Sequence, residues 1–199
     1  MKQLVLGIMK YSIIYFIFCF SICFSQTKNE KEERIKQSEF PIVAQTYFNT
    51  ISHDAKYLKF FKETDGSRKS FEVKFKINKL YYSVEFDTLG ILEDIEIVIK
   101  QKHIPKSTLS NIMSYFDSNY KKTRLIKIQK QYVKYTNKSD KQFIQHIVDN
   151  PDDKHTHFEI IAEIKTKSLH ELREFTFNRN GKFQRSRKVT SSSYEHALY

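Results

Sequence analysis

The two histidines near residue 156 are the side chains of this sequence that are best placed to do chemistry. His155 and His157 stand two positions apart on a segment predicted to be extended, so their rings would project from the same side. Imidazoles with a nearby carboxylate, here that of Asp153, suit zinc and could serve a metal-dependent enzyme. Because the sequence fixes no other residue as a further ligand, we expect instead a polar loop that leads into a strand.

Motifs for nucleophilic or phosphate chemistry are missing from the sequence. It contains no Gly-x-Ser-x-Gly elbow, and four glycines in all could hardly build a phosphate-binding loop. The two cysteines, Cys19 and Cys23, lie in a segment that we expect to be removed, which leaves no thiol nucleophile and no disulfide. The sequence therefore predicts a protein that is not an enzyme, with no cofactor and no metal.

The first 25 residues have the layout of a secretory signal peptide. Lys2 and Lys10 precede the apolar run 11–24, and Ser25 provides a small residue at the point of cleavage. The rival interpretation is a retained membrane anchor, which Lys10 would interrupt. We expect cleavage, a periplasmic or secreted location, and no stable membrane span in the mature chain. Loss of the two lysines lowers the formal charge from +11 to +9.

Basic residues dominate the charge of the chain, with 34 Lys and Arg residues against 23 Asp and Glu residues. They are dense in residues 121–141, where tyrosines are interleaved with them, a combination typical of single-stranded nucleic acid binding. Export argues against nucleic acid, and a protein or an anionic envelope component fits the same residues better. The alternative is an ordinary soluble basic surface. The candidates for a binding surface are Lys127, Lys130, Lys134, Arg185 and Arg187.

The elements that must position these residues begin with three strands between residues 71 and 99. Apolar residues alternate with charged or polar ones in 71–77, 80–86 and 91–99, which is typical of strands with one wet face. Asn78-Lys79 and the Asp-Thr-Leu-Gly sequence at 87–90 have the chemistry of tight turns. Three antiparallel strands with one apolar face need other elements to cover that face.

A helix precedes these strands, and the same order of elements returns after residue 100. Pro41 starts one apolar pattern of helical spacing, and Pro105 starts another. In the second copy a tight turn is replaced by the insertion 136–157, whose apolar spacing predicts a short docked helix. The last strand, 182–188, is basic, so we expect an exposed sheet edge that is protected by charge.

These patterns predict an α+β protein built as a tandem repeat, in which each unit covers a four-stranded antiparallel sheet with one helix. The predicted parts are a signal peptide (1–25), a flexible lead-in (26–37), a first unit (38–100), a second unit (101–188) with the insertion 136–157, and a tail (189–199).

Several motifs of the first unit resemble a known family. The chain has a Pro-started helix, a Phe-Glu-Val strand at 71–73, Val-Glu-Phe-Asp-Thr-Leu-Gly at 84–90 and Glu-Asp-Ile-Glu at 93–96. Together these are similar to the PepSY-like, or beta-lactamase-inhibitor-like, family of exported proteins of Bacteroidota. The resemblance covers about residues 35–188 and implies a tandem of helix-plus-sheet units. The second unit departs from the pattern, since Asn178 stands where the turn Asp is expected.

The resemblance supplies no catalytic residues to carry over and implies a non-catalytic binding or inhibitory module that acts through protein or envelope-polymer contacts. We expect its contact surface on the second unit, including the insertion 136–157. The first alternative is a structural protein of the cell envelope that is held by charge. The second is the metal-dependent enzyme that uses His155 and His157. Nothing in the sequence fixes the partner or the oligomeric state.

Overall fold

The computed structural model describes residues 27–51 and 54–190. The predicted signal peptide and most of the predicted tail lie outside the described residues. The strands are β1 (Thr27–Lys28), β2 (Glu30–Ile35), β3 (Lys56–Asp65), β4 (Arg68–Ile77), β5 (Leu80–Phe86), β6 (Leu92–Val98), β7 (Lys122–Val133), β8 (His157–Lys165), β9 (His170–Asn178) and β10 (Phe183–Val189). The helices are α1 (Ile42–Ile51), α2 (Lys106–Asn119) and α3 (Asp140–Asp149), and short 3-10 turns precede α1 and α2.

The three strands predicted between residues 71 and 99 are confirmed as β4, β5 and β6. Asn78 and Lys79 close the first hairpin with positive φ angles of 50° and 68°. In the second turn the Asp87 carboxylate accepts hydrogen bonds from the backbone N–H groups of Leu89 (2.8 Å) and Ile91 (2.9 Å). The predicted docked helix of the insertion is confirmed as α3. Local turn chemistry therefore decides this part of the structure.

The predicted α+β tandem repeat is wrong. The described strands form one ten-stranded, nearly closed, barrel-like sheet in the order β1-β10-β9-β8-β7-β6-β5-β4-β3-β2, and the protein is mostly β. The two predicted sheets are joined because β6 and β7 pair antiparallel, with Ile95 opposite Tyr132 and Ile97 opposite Lys130. Two separate sheets would each present unpaired backbone N–H and C=O groups at this edge, and pairing β6 with β7 satisfies them.

The predicted flexible lead-in forms strands that bring the two ends of the sheet together. β1 pairs in parallel with β10, whereas β2 pairs antiparallel with β3, and only Asn29 separates β1 from β2. β1 pairs only with Lys188 and Val189 of β10, so among the described residues 183–187 pair with β9 alone and keep an open edge with basic side chains, as expected for 182–188. A single short segment therefore covers the edge of β3 at 60–65 and the end of β10 at 188–189.

The three helices cover the apolar face of the sheet in two adjoining clusters. In one cluster, Phe48 of α1 and Phe143 of α3 pack against strands β3 to β7. In the other, Ile112 and Phe116 of α2 pack against β7, β8 and β9, and the rings of Phe116 and Phe175 meet edge to face with centroids 4.9 Å apart. Within the described residues, no helix combines the length and the apolar character needed to cross a membrane.

Candidate ligand-binding cavity

The opposite face of the sheet, here called the inner face, carries polar and charged side chains that are nevertheless buried. Four glutamates at most 8% exposed alternate along their strands with residues of the apolar core: Glu72, Glu96, Glu159 and Glu174. The sequence predicted a wet face at such positions. That prediction is wrong for the centre of the sheet, because the nearly closed sheet turns this face toward itself and removes it from solvent.

One group of inner-face charges is balanced by cations from the first and last strands. Glu174 accepts hydrogen bonds from the Nζ of Lys28 at 2.7 Å and from the Nε of Arg187 at 2.6 Å. Burial by itself raises the pKa of Glu174, but these two cations lower it to about 2. Arg187 also donates to Asp65 of β3 at 2.9 Å. These ion pairs link β1, β9, β10 and β3 across the inside of the sheet.

A second group of inner-face carboxyls has few cations beside it. Burial and neighbouring carboxylates raise the pKa values of Asp94 and Glu96 to about 7. Gln131 donates to Asp94 at 2.8 Å, Gln129 donates to Glu96, and the carboxyls of Glu96 and Glu159 hydrogen-bond each other. The Gln131 donor lowers the pKa of Asp94, but burial and the neighbouring carboxylates outweigh it and favour carboxyls that retain protons near neutral pH.

Two sets of carboxylates are spaced closely enough to hold a cation, with ligand oxygens within 4.8 Å of one another: Glu32, Glu63 and Glu72, and Glu85, Asp94 and Glu96. In the first set, the Lys74 ammonium already lies 2.8 Å from Glu32 and 3.2 Å from Glu72. In the second set, Gln131 and Gln129 already donate to Asp94 and Glu96. Acidic spacing alone does not make a metal site.

A cavity of about 1040 Å³ opens on the inner face, at the end of the sheet where β3, β5 and β7 begin and β4 and β6 end. Sites for small molecules commonly occupy about 300–1,000 Å³. Aromatic and aliphatic side chains form much of the wall, among them Tyr57, Phe61, Tyr81, Val98 and Ile126. This cavity is the candidate functional site.

Two irregularities in strand pairing border this cavity. The β3–β4 register shifts between Lys56 and Lys59, and the β7–β8 register shifts between Leu125 and Lys127. Within the first, Tyr57 has a φ of 59°, lines the cavity and is 68% exposed. A positive φ is strained for a bulky residue, and bulges often turn side chains toward functional sites.

The charged residues of the cavity wall are four lysines and two glutamates. Lys74 lies between Glu32 and Glu72, and these carboxylates raise its pKa even though burial alone lowers it. Lys59, Lys100 and Lys127 also line the cavity and form no ion pair with any part of the chain that the structure describes. The glutamates are therefore already compensated, and the wall carries excess positive charge.

The structure separates the five basic residues predicted as a binding surface. Lys127 lines the cavity. Lys130 is buried on the helix-covered face, where it donates to the Pro151 carbonyl (2.9 Å) and contacts Asp152. Two others have structural partners, since Lys134 pairs with Asp140 at 2.6 Å and Arg187 joins the ion pairs described above. Arg185 is 60% exposed, with its guanidinium 3.6 Å from Glu159.

Of the predicted metal ligands, Asp153 and His155 contact each other, and the Asp153 carboxylate has three side-chain partners in all. Asp153 is within 3.0 Å of His155 Nδ1 and of His146 Nε2, and it accepts from the Tyr135 hydroxyl at 2.8 Å. These donors lower the pKa of Asp153 although burial opposes the shift. His157 begins β8, and its Nδ1 is buried without a hydrogen-bond partner among the described residues. The structure therefore does not place both predicted histidine ligands at one carboxylate, since His155 contacts Asp153 and the Nδ1 of His157 forms no hydrogen bond within the part of the chain that the structure describes.

Sequence reasoning missed the cavity and most of its lysines. Lys59, Lys74 and Lys100 belong to no motif, and each looks like an ordinary solvated strand or loop residue. One available signal was an aliphatic residue, Val98, at a position where the alternation of β6 places polar side chains. Val98 is 37% exposed and lines the cavity, so it marks an apolar part of that face.

Comparisons with known proteins identify relatives of the fold only. No protein-family model matches the sequence, and no curated protein matches it. The solved structure of a DUF2874 family protein from Bacteroides uniformis is similar with a TM-score of 0.50 at 13% identity, over 75% of this chain and 89% of that chain. These values show a shared fold.

Two further solved structures are similar at slightly lower TM-scores. A BLIP-like protein from Bacteroides fragilis has a TM-score of 0.48 at 14% identity, over 76% of this chain and 89% of that chain. A protein from Bacteroides eggerthii, provisionally called periplasmic, has a TM-score of 0.49 at 9% identity, over 76% of this chain and 91% of that chain. The neighbours are thus Bacteroides proteins, several of the DUF2874 family and one BLIP-like, and the PepSY-like resemblance is not confirmed.

Proposed function

We propose that this chain is an exported, non-catalytic binding module, and that its ligand site is the inner cavity. The observation that carries the proposal is the open cavity of about 1040 Å³ beside a strained Tyr57, on a sheet whose other polar groups are largely paired. The periplasmic or secreted location follows from the pattern of residues 1–25 and agrees with the provisional description of the Bacteroides eggerthii protein.

The insertion 136–157 is less suited to be the contact surface than the sequence indicated. Its apolar side chains Phe143, Ile144, Ile147 and Val148 are buried in the core, which leaves them unavailable to a partner. The cavity, in contrast, presents aromatic groups that are accessible from solvent, including Tyr57 and Tyr81. Accessible aromatic groups in a concave site favour ligand binding.

The proposal is tested by recovering the ligand from the protein. The full chain is expressed in a bacterial host, purified in the form that the host exports, and extracted with solvent for mass spectrometry. Val98→Glu places a charge on the cavity wall, whereas Val133→Glu makes the same change on β7 outside the cavity. We expect one class of small molecule to be recovered from the parent protein and from Val133→Glu, and about tenfold less from Val98→Glu. Equal recovery from both variants, or none from the parent protein, would contradict the proposal.

A structural protein held to the envelope by charge makes a different prediction. Its attachment to the envelope should weaken steeply between low and moderate salt, because exposed charges are screened over about 10 Å at 0.1 M ionic strength. It should also weaken when exposed lysines outside the cavity are replaced. For a binding module that acts through the cavity, Val98→Glu should reduce the amount of ligand recovered, and the lysine replacements outside the cavity should leave that amount unchanged.

A further inference from the structure

The chemistry of the cavity wall narrows the class of ligand, an inference that rests on the proposed function. The apolar part of the wall is contributed by different strands, with Tyr57 and Phe61 from β3, Tyr81 from β5 and Val98 from β6. Such a wall favours a flat ring system or an alkyl chain, since burying apolar surface yields about 25 cal/mol per Å². The cavity is large enough for a molecule of that kind.

The charges at the same wall favour a negative group on that molecule. Lys59, Lys100 and Lys127 line the cavity, Lys59 and Lys100 exposed and Lys127 half-buried, and none of them forms an ion pair within the described residues, although the charge of Lys127 acts on Glu96. The two glutamates of the wall share Lys74, and Ser83 also donates to Glu72, so these carboxylates are not available to compensate the other lysines. In a partly desolvated cavity, attraction between opposite charges is stronger than in bulk water.

We propose that the cavity binds an amphipathic organic anion, a small molecule with an apolar body and one carboxylate, sulfonate or phosphate group. The apolar body lies against Tyr57, Phe61 and Val98. The anionic group is held by Lys59, Lys100 and Lys127. A neutral apolar molecule of the same shape fits the wall but gives the three lysines no ion-pair partner, so it binds more weakly.

The test uses two fluorescent probes that differ by one charged group. 8-Anilinonaphthalene-1-sulfonate is an aromatic anion, and N-phenyl-1-naphthylamine has the same ring system without the sulfonate. Both are titrated into the exported form of the full chain. Dodecanoate and dodecanol are then used as competitors to compare an alkyl anion with its neutral counterpart. Retention of a sharp, cooperative thermal transition confirms that binding is to the folded protein.

The matched variants each remove three positive charges. Lys59→Gln/Lys100→Gln/Lys127→Gln changes the cavity, whereas Lys121→Gln/Lys141→Gln/Lys154→Gln changes exposed residues elsewhere. We expect the parent protein to bind the anionic probe at least about tenfold more tightly than the neutral probe. The cavity variant should lose most of that preference while its affinity for the neutral probe changes less than twofold. The control variant should retain the preference, and dodecanoate should displace the probe more effectively than dodecanol.

The possible outcomes separate this inference from the proposed function. If both probes bind with equal affinity and Val98→Glu weakens both, the cavity is a binding site but the inference about charge is wrong. If the two lysine variants weaken the anionic probe equally, the preference comes from overall charge and the inference is again wrong. If neither probe nor either competitor binds to the folded parent protein, the proposed function fails together with the inference.

Discussion

The Nζ of Lys28 lies 2.7 Å from the Oε2 of Glu174, and 146 residues separate the two in sequence. Lys28 ends β1 and Glu174 lies in β9, so the contact spans β10, which pairs with both strands. Arg187 of β10 lies on the other side of the same carboxylate. The start of the described chain is thus fixed to the inner face by charge as well as by backbone pairing.

Glu174→Gln should destabilise the fold strongly. The change leaves Lys28 and Arg187 on the inner face without their shared carboxylate, and breaking a buried ion pair by removing one partner costs about 3 kcal/mol or more. Urea unfolding measures the loss. The control is Glu93→Gln, which removes the partner of the largely exposed Arg68 and should cost less than about 1 kcal/mol. Equal losses in the two variants would contradict the structural role of Glu174.

The carboxyls of the inner face should make stability decrease as pH rises above about 5. Burial raises the pKa of Glu63 to about 8 and those of Asp94 and Glu96 to about 7, so the folded state holds protons that the unfolded state releases. Their contribution is present below the unfolded pKa, near 4, and is lost as pH rises through 7 to 8. Glu174 acts in the opposite direction, since its pKa of about 2 means that its contribution is lost as pH falls below about 4. The free energy of unfolding should therefore be greatest near pH 5.

Glu96→Gln should flatten the alkaline side of that profile. The amide cannot ionise, so the cost of a buried charge at pH 8 disappears, and we expect a gain on the order of 1 kcal/mol at pH 8 with little change at pH 5. Urea unfolding at the two pH values measures it. Glu33→Gln on the exposed side of β2 removes the same formal charge and serves as the control. An identical pH profile for Glu96→Gln and the parent protein would be inconsistent with a protonated inner face.

Gly181→Ala should destabilise the contact between the β9–β10 turn and α2. Gly181 has a φ of +77°, and an added Cβ would lie 2.5 Å from the backbone oxygen of Thr108. We expect a loss of about 3 kcal/mol, because strain is combined with displacement of the helix. Gly66→Ala is the control, since Gly66 has a φ of +62° but an added Cβ there meets nothing within 4 Å. Its loss should be about 1 kcal/mol.

Asp153→Asn should loosen the insertion without unfolding the sheet. The substitution weakens the contacts to Tyr135, His146 and His155, which together hold the segment that follows α3. Hydrogen exchange should become faster in residues 150–157 and stay unchanged in β4 and β5, with a loss of about 1–2 kcal/mol in the free energy of unfolding. Faster exchange spread evenly over the sheet would show that Asp153 supports the whole fold.

Elemental analysis tests the metal-dependent alternative, in which His155 and His157 hold zinc. Because Asp153 already contacts two histidines and a tyrosine, we expect well below one zinc per chain after purification. Stoichiometric zinc that is lost from His155→Ala would support the alternative. The same measurement on His103→Ala, a change outside the insertion, controls for histidines that bind zinc adventitiously.

The sequence alone determined the local elements of the molecule. Alternation identifies β4, β5 and β6, Asp87 and Gly90 identify a turn, and the spacing from Phe143 to Val148 identifies α3. These features depend on residues that are near one another in the chain, so their chemistry can be read from composition and spacing. Lys127 is the one cavity lysine that sequence reasoning selected, and it was selected for its basic neighbourhood and not for the cavity.

Only the tertiary structure decided that the strands form one sheet and that its charged face is buried. Alternation is the same whether the polar side of a strand meets water or meets other charged strands, so Glu72 and Glu174 looked solvated. The partners that bury them, including Lys28 and Arg187, are supplied by strands far away in the chain. Backbone pairing between β6 and β7 and between β1 and β10 leaves no pattern in the sequence, because peptide groups are alike at every position. The cavity exists only where these distant strands meet.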